Sequence, residues 1–204
     1  MNSGHSQNKK LSEVLRQLAA EERSEIKISE LLNLLGERAF GAGILAFAVP
    51  SLIPGASAIF AIPLFFITAQ LMIGRPTMWL PSSVTQRSIP WTGLRKGLQR
   101  ATELVARVER LMRPRLDFLC TPFAERLTGI ACFILTLILF LPIPLANFPP
   151  ALALILFALG LAEQDGVAVM IGWFLSLITL VIALSVGYGI IAGGFYLGRW
   201  IFGL

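Results

Sequence analysis

Two stretches without a single charged side chain, Ala39–Gly74 and Leu127–Ala162, limit what this chain can fold into. Each is thirty-six residues long. A membrane-spanning helix needs about 20 residues to cross a hydrocarbon core of about 30 Å, and two with a turn need somewhat more than about 40. Each run is too long for one crossing and tight for two. The first contains Pro50-Ser51-Leu52-Ile53-Pro54-Gly55-Ala56-Ser57, with Pro63 beyond it. The second contains Pro142-Ile143-Pro144-Leu145-Ala146-Asn147-Phe148-Pro149-Pro150. Proline removes a backbone donor and clashes with the preceding turn, so neither cluster continues as helix. Each run reads as two helical arms of about fifteen residues, about 22 Å long, joined by an irregular tip. Non-helical backbone at membrane depth persists only when protein covers it or a watery cavity faces it. The reading is two re-entrant or barely spanning hairpins.

Composition agrees. The chain is 55% hydrophobic and 14% charged, where a soluble protein carries about 25% charged residues. Soluble enzyme, disordered chain and disulfide-rich secreted domain are excluded, and an integral membrane protein remains. A third uncharged run, Val167–Gly198, opens with a segment long enough to span, Val167–Leu184. It then turns glycine-rich at Gly187, Gly189, Gly193, Gly194 and Gly198. The spacings Gly189–Gly193 and Gly194–Gly198 suit close helix packing in lipid, within one copy or between two. Tyr196, Arg199 and Trp200 resemble an interfacial anchor.

The charges gather elsewhere. Six basic and six acidic residues share the first thirty-eight positions. Met1–Lys10 is polar, without the basic start and apolar run of a cleaved signal, so the N-terminus reads as cytoplasmic. Leu11, Val14, Leu15 and Leu18 predict a short amphipathic surface helix. Arg75 through Arg126 hold ten basic and four acidic residues, the main source of the net charge of +5. That bias belongs on the cytoplasmic side. Leu94, Leu98, Ala101, Val105, Val108 and Met112 form an apolar stripe opposite Arg95, Lys96, Arg100, Arg107, Arg110 and Arg113. Such a helix lies flat at an anionic inner leaflet, whereas a nucleic-acid partner would leave the stripe without a use. The expected organisation is a cytoplasmic amphipathic region (1–35), a first broken hairpin (36–75), a basic interfacial linker (76–123), a second broken hairpin (124–163) and a C-terminal transmembrane region (164–204).

Shifting the chain by 88 residues lays Glu37-Arg38-Ala-Phe-Gly41 on Glu125-Arg126-Leu-Thr-Gly129, Pro54 on Pro142 and Arg75 on Glu163. Two Glu-Arg-x-x-Gly signatures, each opening a broken apolar hairpin, point to a duplication. If the linker never crosses, the repeat is parallel. The fold class expected is an all-α integral membrane protein: two proline-broken helical hairpins related by internal duplication, amphipathic interfacial helices and a C-terminal transmembrane segment.

Catalytic chemistry is sparse. His5 is the sole histidine, and Cys120 and Cys132 lie twelve residues apart with no histidine nearby, which suits apolar fillers better than a metal site. No nucleophile elbow, P-loop, dinucleotide fingerprint or zinc-protease motif occurs. Glu163 and Asp165 beside Gly166 would suit an enzyme of the headgroup region, but a polar turn explains them. No enzyme, cofactor or metal is expected.

The chain resembles the ExoD family of bacterial membrane proteins, named for exopolysaccharide synthesis, from about Leu31 to Gly172. The likeness rests on Gly36-Glu37-Arg38-Ala-Phe-Gly41, Pro50-Ser-Leu-Ile-Pro54 and Gln70-Leu-Met-Ile-Gly74-Arg75-Pro76 with Trp79-Leu-Pro81. It continues through Arg113-Pro-Arg115, Leu141-Pro-Ile-Pro144 with Asn147 and Pro149, and Gly160-Leu-Ala-Glu163-Gln-Asp165-Gly166. The resemblance implies an inner-membrane protein associated with exopolysaccharide production and no settled reaction.

Two functions fit. In the first, an anionic solute or lipid-linked group passes across or into the bilayer between the hairpins. Helix N-termini there favour anions, with Ser51, Pro54, Gly55, Ser57, Gln70, Pro142, Pro144 and Asn147 as contacts and Glu37, Arg38, Glu125, Arg126 and Arg75 as ion pairs or gates at the mouths. The plainer alternatives are simple turns at the prolines, arginines snorkelling among headgroups and a helix–helix hydrogen bond at Gln70. In the second, the chain is a non-transporting scaffold whose basic linker and N-terminal helix dock the polysaccharide machinery. Anionic lipids are expected partners in either case, and a homo-oligomer is compatible with both.

Overall fold

Helices form where the uncharged runs place them. The computed structural model describes residues 25–53, 57–81, 86, 88–90, 121–141 and 147–202. In chain order these are β1 (Glu25–Lys27), α1 (Ile28–Leu35), a 3-10 turn (Gly36–Arg38) and α2 (Ala39–Ala48). A second 3-10 turn (Pro50–Leu52), α3 (Ser57–Ile73), β2 (Ser88–Pro90), α4 (Pro122–Phe140), α5 (Phe148–Glu163) and α6 (Gly166–Phe202) follow. The amphipathic helices expected around Leu11–Leu18 and Leu94–Met112 lie outside the described residues, as do Pro54, Gly55, Pro142 and Pro144.

Local chemistry accounts for the boundaries. Thr121 caps α4 by accepting the Ala124 N–H at 3.4 Å, Pro122 sits where no N–H is needed, and Glu125 places a negative charge in the first turn. At the other end of each hairpin the chain closes with a left-handed residue. Gly74 (φ 76°) follows α3, with Gly74 N donating to Leu71 O and Arg75 N to Gln70 O. Gln164 (φ 52°) follows α5, with Asp165 N donating to Gly160 O. Both are endings that satisfy the last carbonyls of a helix. Asp165 then starts α6, its Oδ1 accepting the Val167 N–H at 2.8 Å.

Packing crosses between the hairpins. α2 lies against α5, and α3 lies against α4. Glycines allow both contacts: a Cβ at Gly41 would stand 2.5 Å from Ala158 O and 2.9 Å from Ala162 Cβ. One at Gly129 would stand 2.6 Å from Met72 N. The start of each hairpin's first helix therefore touches the end of the other hairpin's second helix. Both hairpins open at one end of the bundle and close at the other. α6 packs antiparallel on α5, with Phe157 edge-on to Trp173 at 5.8 Å and Val169 against Gly160. Ile44, Leu64, Leu135, Leu139, Leu154 and Phe157 form the buried centre.

The outer surface is apolar, with Ile59, Phe66, Ile73, Phe174 and Leu177 exposed. Water does not suit so continuous an apolar surface, and lipid does. α4 and the Gly166–Gly189 part of α6 are long and apolar enough to cross a membrane, whereas α3 and α5 are shorter.

The fold is helical as expected, with one small addition: β1 and β2 pair antiparallel, Ile26 opposite Ile89, joining the N-terminal region to the linker. A β-branched residue in each short extended segment suits that pairing. α6 runs unbroken through Gly187, Gly189 and Gly193. Glycine costs a helix only about 1 kcal/mol relative to alanine, too little to stop one in an apolar run. Pro63 lies inside α3 rather than breaking it. Gly129→Ala is expected to lose about 1–3 kcal/mol by forcing a methyl into the α3 backbone. Gly187→Ala, with nothing within 4 Å, should be neutral or better. Thermal unfolding of both variants in the same micelles checks the contrast.

Candidate functional site

At the closed end of the bundle, α3 and α5 bring their N-termini together. Asn147 Nδ2 donates to Ser57 Oγ at 2.6 Å, so the two hairpin tips meet through two of the residues singled out in the sequence. Ser57 is buried. Asn147 does not cap its own helix, and its Oδ1 is buried without a hydrogen-bond partner among the described residues. The first N–H groups of a helix have no acceptor within it. α3 supplies these from Ser57, Ala58 and Ile59, whereas Pro149 and Pro150 leave Phe148 as the main source on α5. Each N-terminus also carries roughly half a positive charge. The result is a meeting point of donors with one spare acceptor and no charged side chain among its described residues.

The other expected contacts are arranged differently. Ser51 is buried beside the first tip, but its hydroxyl donates to Ala48 O at 2.6 Å and is spent within its own turn. Gln70 is engaged at both ends: Nε2 donates to Phe66 O at 3.1 Å and Oε1 accepts from Trp79 N at 2.7 Å. It fastens the chain leaving α3 back onto that helix. Met78, on the same segment, fills the space beside Gly43.

The charged residues stand at the open end, where helices α3 and α5 finish. The Arg126 side chain lies across Gly74, at the C-terminus of α3. The turn carrying Arg38 packs on α5, and Arg38 Nη1 is buried with no hydrogen-bond partner among the described residues. A cation near a helix C-terminus is favourable by about 0.3–1 kcal/mol, so each arginine suits the end of the other hairpin's second helix. Arg75 is exposed and lies over the Trp79 ring at 5.7 Å. Glu125 is in the first turn of α4 and is bonded within the protein.

Sequence reasoning missed two residues. Asp165, read as part of a polar turn, is buried and caps α6. Asp followed by Gly at the head of an apolar run was the available signal. Thr128 is 1% exposed, and its hydroxyl has no partner among the described residues. Thr68, Thr136, Ser176 and Thr179 instead donate to the carbonyl four residues back. No sequence signal separates Thr128 from those four. Among the described residues no group of three or more His, Cys, Asp or Glu side chains could hold a metal ion.

The family described as "Exopolysaccharide synthesis, ExoD" matches residues 11–185. Protein ExoD of Rhizobium meliloti is 32% identical over 193 residues, covering 90% of this chain and 80% of that protein. An uncharacterized protein of Synechocystis sp. is 28% identical over 174 residues, covering 83% of this chain and 82% of its own. No solved structure matches the chain. The chain belongs to the ExoD family, which is linked to exopolysaccharide synthesis.

Gly74→Ala is expected to destabilise by about 1–2 kcal/mol, the penalty for a Cβ in left-handed backbone, and to displace Arg126 as well. Removing the guanidinium first, as Arg126→Ala, should relieve only the second effect. Thermal unfolding of the two single variants and the double variant measures that coupling as a non-additive shift.

Proposed function

We propose that this ExoD-family protein is a multi-pass protein of the bacterial inner membrane that binds an anionic solute or lipid-linked group of exopolysaccharide production at its hairpin tips and passes it across or into the bilayer. The observation that carries the reading is the Asn147–Ser57 hydrogen bond, which brings two helix N-termini to one point. Backbone donors there favour an oxyanion, and the spare Asn147 Oδ1 suits a hydroxyl on the same ligand. The protein's task is binding and movement rather than bond chemistry.

The hairpins are duplicates in this reading. Gly41 and Gly129, 88 residues apart, each meet the end of the other hairpin's second helix. Gly74 and Gln164, 90 residues apart, each end such a helix in left-handed backbone. Ser57 and Asn147 are also 90 apart. First helices thus correspond at one offset and second helices at another, with two extra residues in the second tip. Arg75 then corresponds to Asp165 rather than Glu163. Ser57 and Asn147 become counterparts meeting across an approximate two-fold axis along the bundle, which makes the repeat parallel.

The open end faces the cytoplasm, with the basic linker on anionic lipid and the N-terminus on the same side. Helices of 16 and 17 residues rise about 24–26 Å, short of a core of about 30 Å. The tips are re-entrant, close to the far leaflet.

Asn147→Asp separates binding from packing. A carboxylate can still accept a hydrogen bond from the Ser57 hydroxyl, and the added negative charge repels an anionic ligand. The amount of protein in the membrane is measured beside output, so that the cost of burying the charge is read separately. The expected result is loss of most exopolysaccharide output from a host relying on this protein, with output retained in Asn147→Gln. Equal output in Asn147→Asp and wild type overturns an anionic ligand at the tips. Depth is read separately: Ile53→Cys, with the native cysteines replaced, should label with a membrane-impermeant thiol reagent from at least one face.

A further inference from the structure

The two hairpin tips are built unequally. Pro149 and Pro150 stand in the first turn of α5, where a helix has no use for their missing N–H groups. Pro63 stands inside α3, six residues after its start at Ser57. There it withholds the N–H that would bond to Ile59 O, and its ring crowds that carbonyl. The ladder of α3 is interrupted between a short leading segment, residues 57–62, and the longer remainder. Sharp bends in helices fall at such interruptions.

The neighbours differ as well. α5 is held by α2, α4 and α6, whereas α3 packs mainly against α2 and α4. Among the described residues the outer face of α3 is bare, with Ile59 69% and Phe66 67% exposed. The leading segment can move outward, into lipid, without displacing another described helix. The part beyond Pro63 is fastened: Gly129 brings the α4 backbone onto Leu71 and Met72, and the Phe65 and Phe133 rings meet at 4.4 Å.

What ties the leading segment across the bundle is a side-chain hydrogen bond. Asn147 Nδ2 donates to Ser57 Oγ at 2.6 Å, joining two helices that otherwise have α2 and α4 between them. The net worth of one such bond shifts an equilibrium by a factor of only about 2–10. A break in the ladder, a free outer face and a weak tie coincide on the same six residues.

We propose that residues 57–62 are a gate at the closed end, hinged at Pro63 and latched to α5 by the Ser57–Asn147 bond. Latched, the segment closes the tip of the bundle and keeps Asn147 half-buried. Released, it swings toward lipid, parts the two helix N-termini and uncovers the Asn147 amide. The gate gives the tip site an opening, and in that respect the inference rests on the passage proposed above. The swing itself is a property of α3 and is read without any ligand.

The test uses the full chain in lipid nanodiscs, with Cys120→Ala and Cys132→Ala as background. Nitroxide spin labels are placed in pairs at Ile59 with Phe148 and at Phe66 with Phe148, all three side chains being exposed. The first pair spans the gate, and the second starts beyond the hinge. Pulsed electron resonance should give two distances for the first pair and one for the second. Ser57→Ala should raise the longer Ile59–Phe148 population relative to the shorter by a factor of about 2–10, the worth of one hydrogen bond. Pro63→Ala, which completes the ladder, should lower that ratio by about as much.

A single Ile59–Phe148 distance that neither substitution alters overturns the gate. Equal shifts in both pairs also overturn it, since α3 then tilts as one body. If Ser57→Ala fails to fold, Pro63→Ala decides alone, because it only restores a helix hydrogen bond. Gate movement as expected, in a protein whose exopolysaccharide output is indifferent to Asn147→Asp, upholds the hinge and discards the anionic ligand.

Discussion

The close approach of backbones at Gly41 and Gly129 is the contact on which the rest of the bundle depends. Lipid offers no hydrophobic force to hold helices together, so contact has to come from fit and from hydrogen bonds. Placing glycine at the start of each first helix lets the other hairpin's second helix come close enough for dispersion contacts along its length. With α2 on α5 and α3 on α4, the hairpins interlock instead of standing side by side. That interlocking sets the N-termini of α3 and α5 next to each other and makes the Ser57–Asn147 bond possible.

Polar groups are distributed with the same economy. The N-termini of α3 and α5 meet at the end with no charged side chains among its described residues, and their C-termini finish at the end where Arg38 and Arg126 stand. Within the helices, Thr68, Thr136, Ser176 and Thr179 return their hydroxyl protons to their own backbone, so they add no unpaired donor to an apolar interior. Among the described residues, Asn147, Thr128 and Arg38 are the ones with a buried polar atom left unpaired. In a medium where each such atom costs free energy, they are the natural places to look for a ligand or a bound water.

Much of this arrangement is legible in the sequence. Charge-free runs interrupted by proline located the helices, because both signals are local: a missing N–H and a missing charge need no knowledge of what packs where. What was not legible depends on partners distant in sequence. Gln70 could not be assigned to Trp79, nor Arg126 to Gly74, from spacing alone. The β1–β2 ladder joins segments more than sixty residues apart through three residues each, too short to leave a periodic pattern.

Because both hairpins open at the same end, building this protein into a membrane is an undemanding task. The tips, from Val49 to Ser57 and from Leu141 to Asn147, hold no charged residue. Each can be pushed into the bilayer as part of a folded-over apolar segment, without carrying an ion through a core where one costs about 2.5–3.5 kcal/mol by insertion scales. In the proposed orientation, the large basic stretch starts and ends on the side where synthesis leaves it. In that orientation, only the far end of α6 presents a charge to be moved, Arg199.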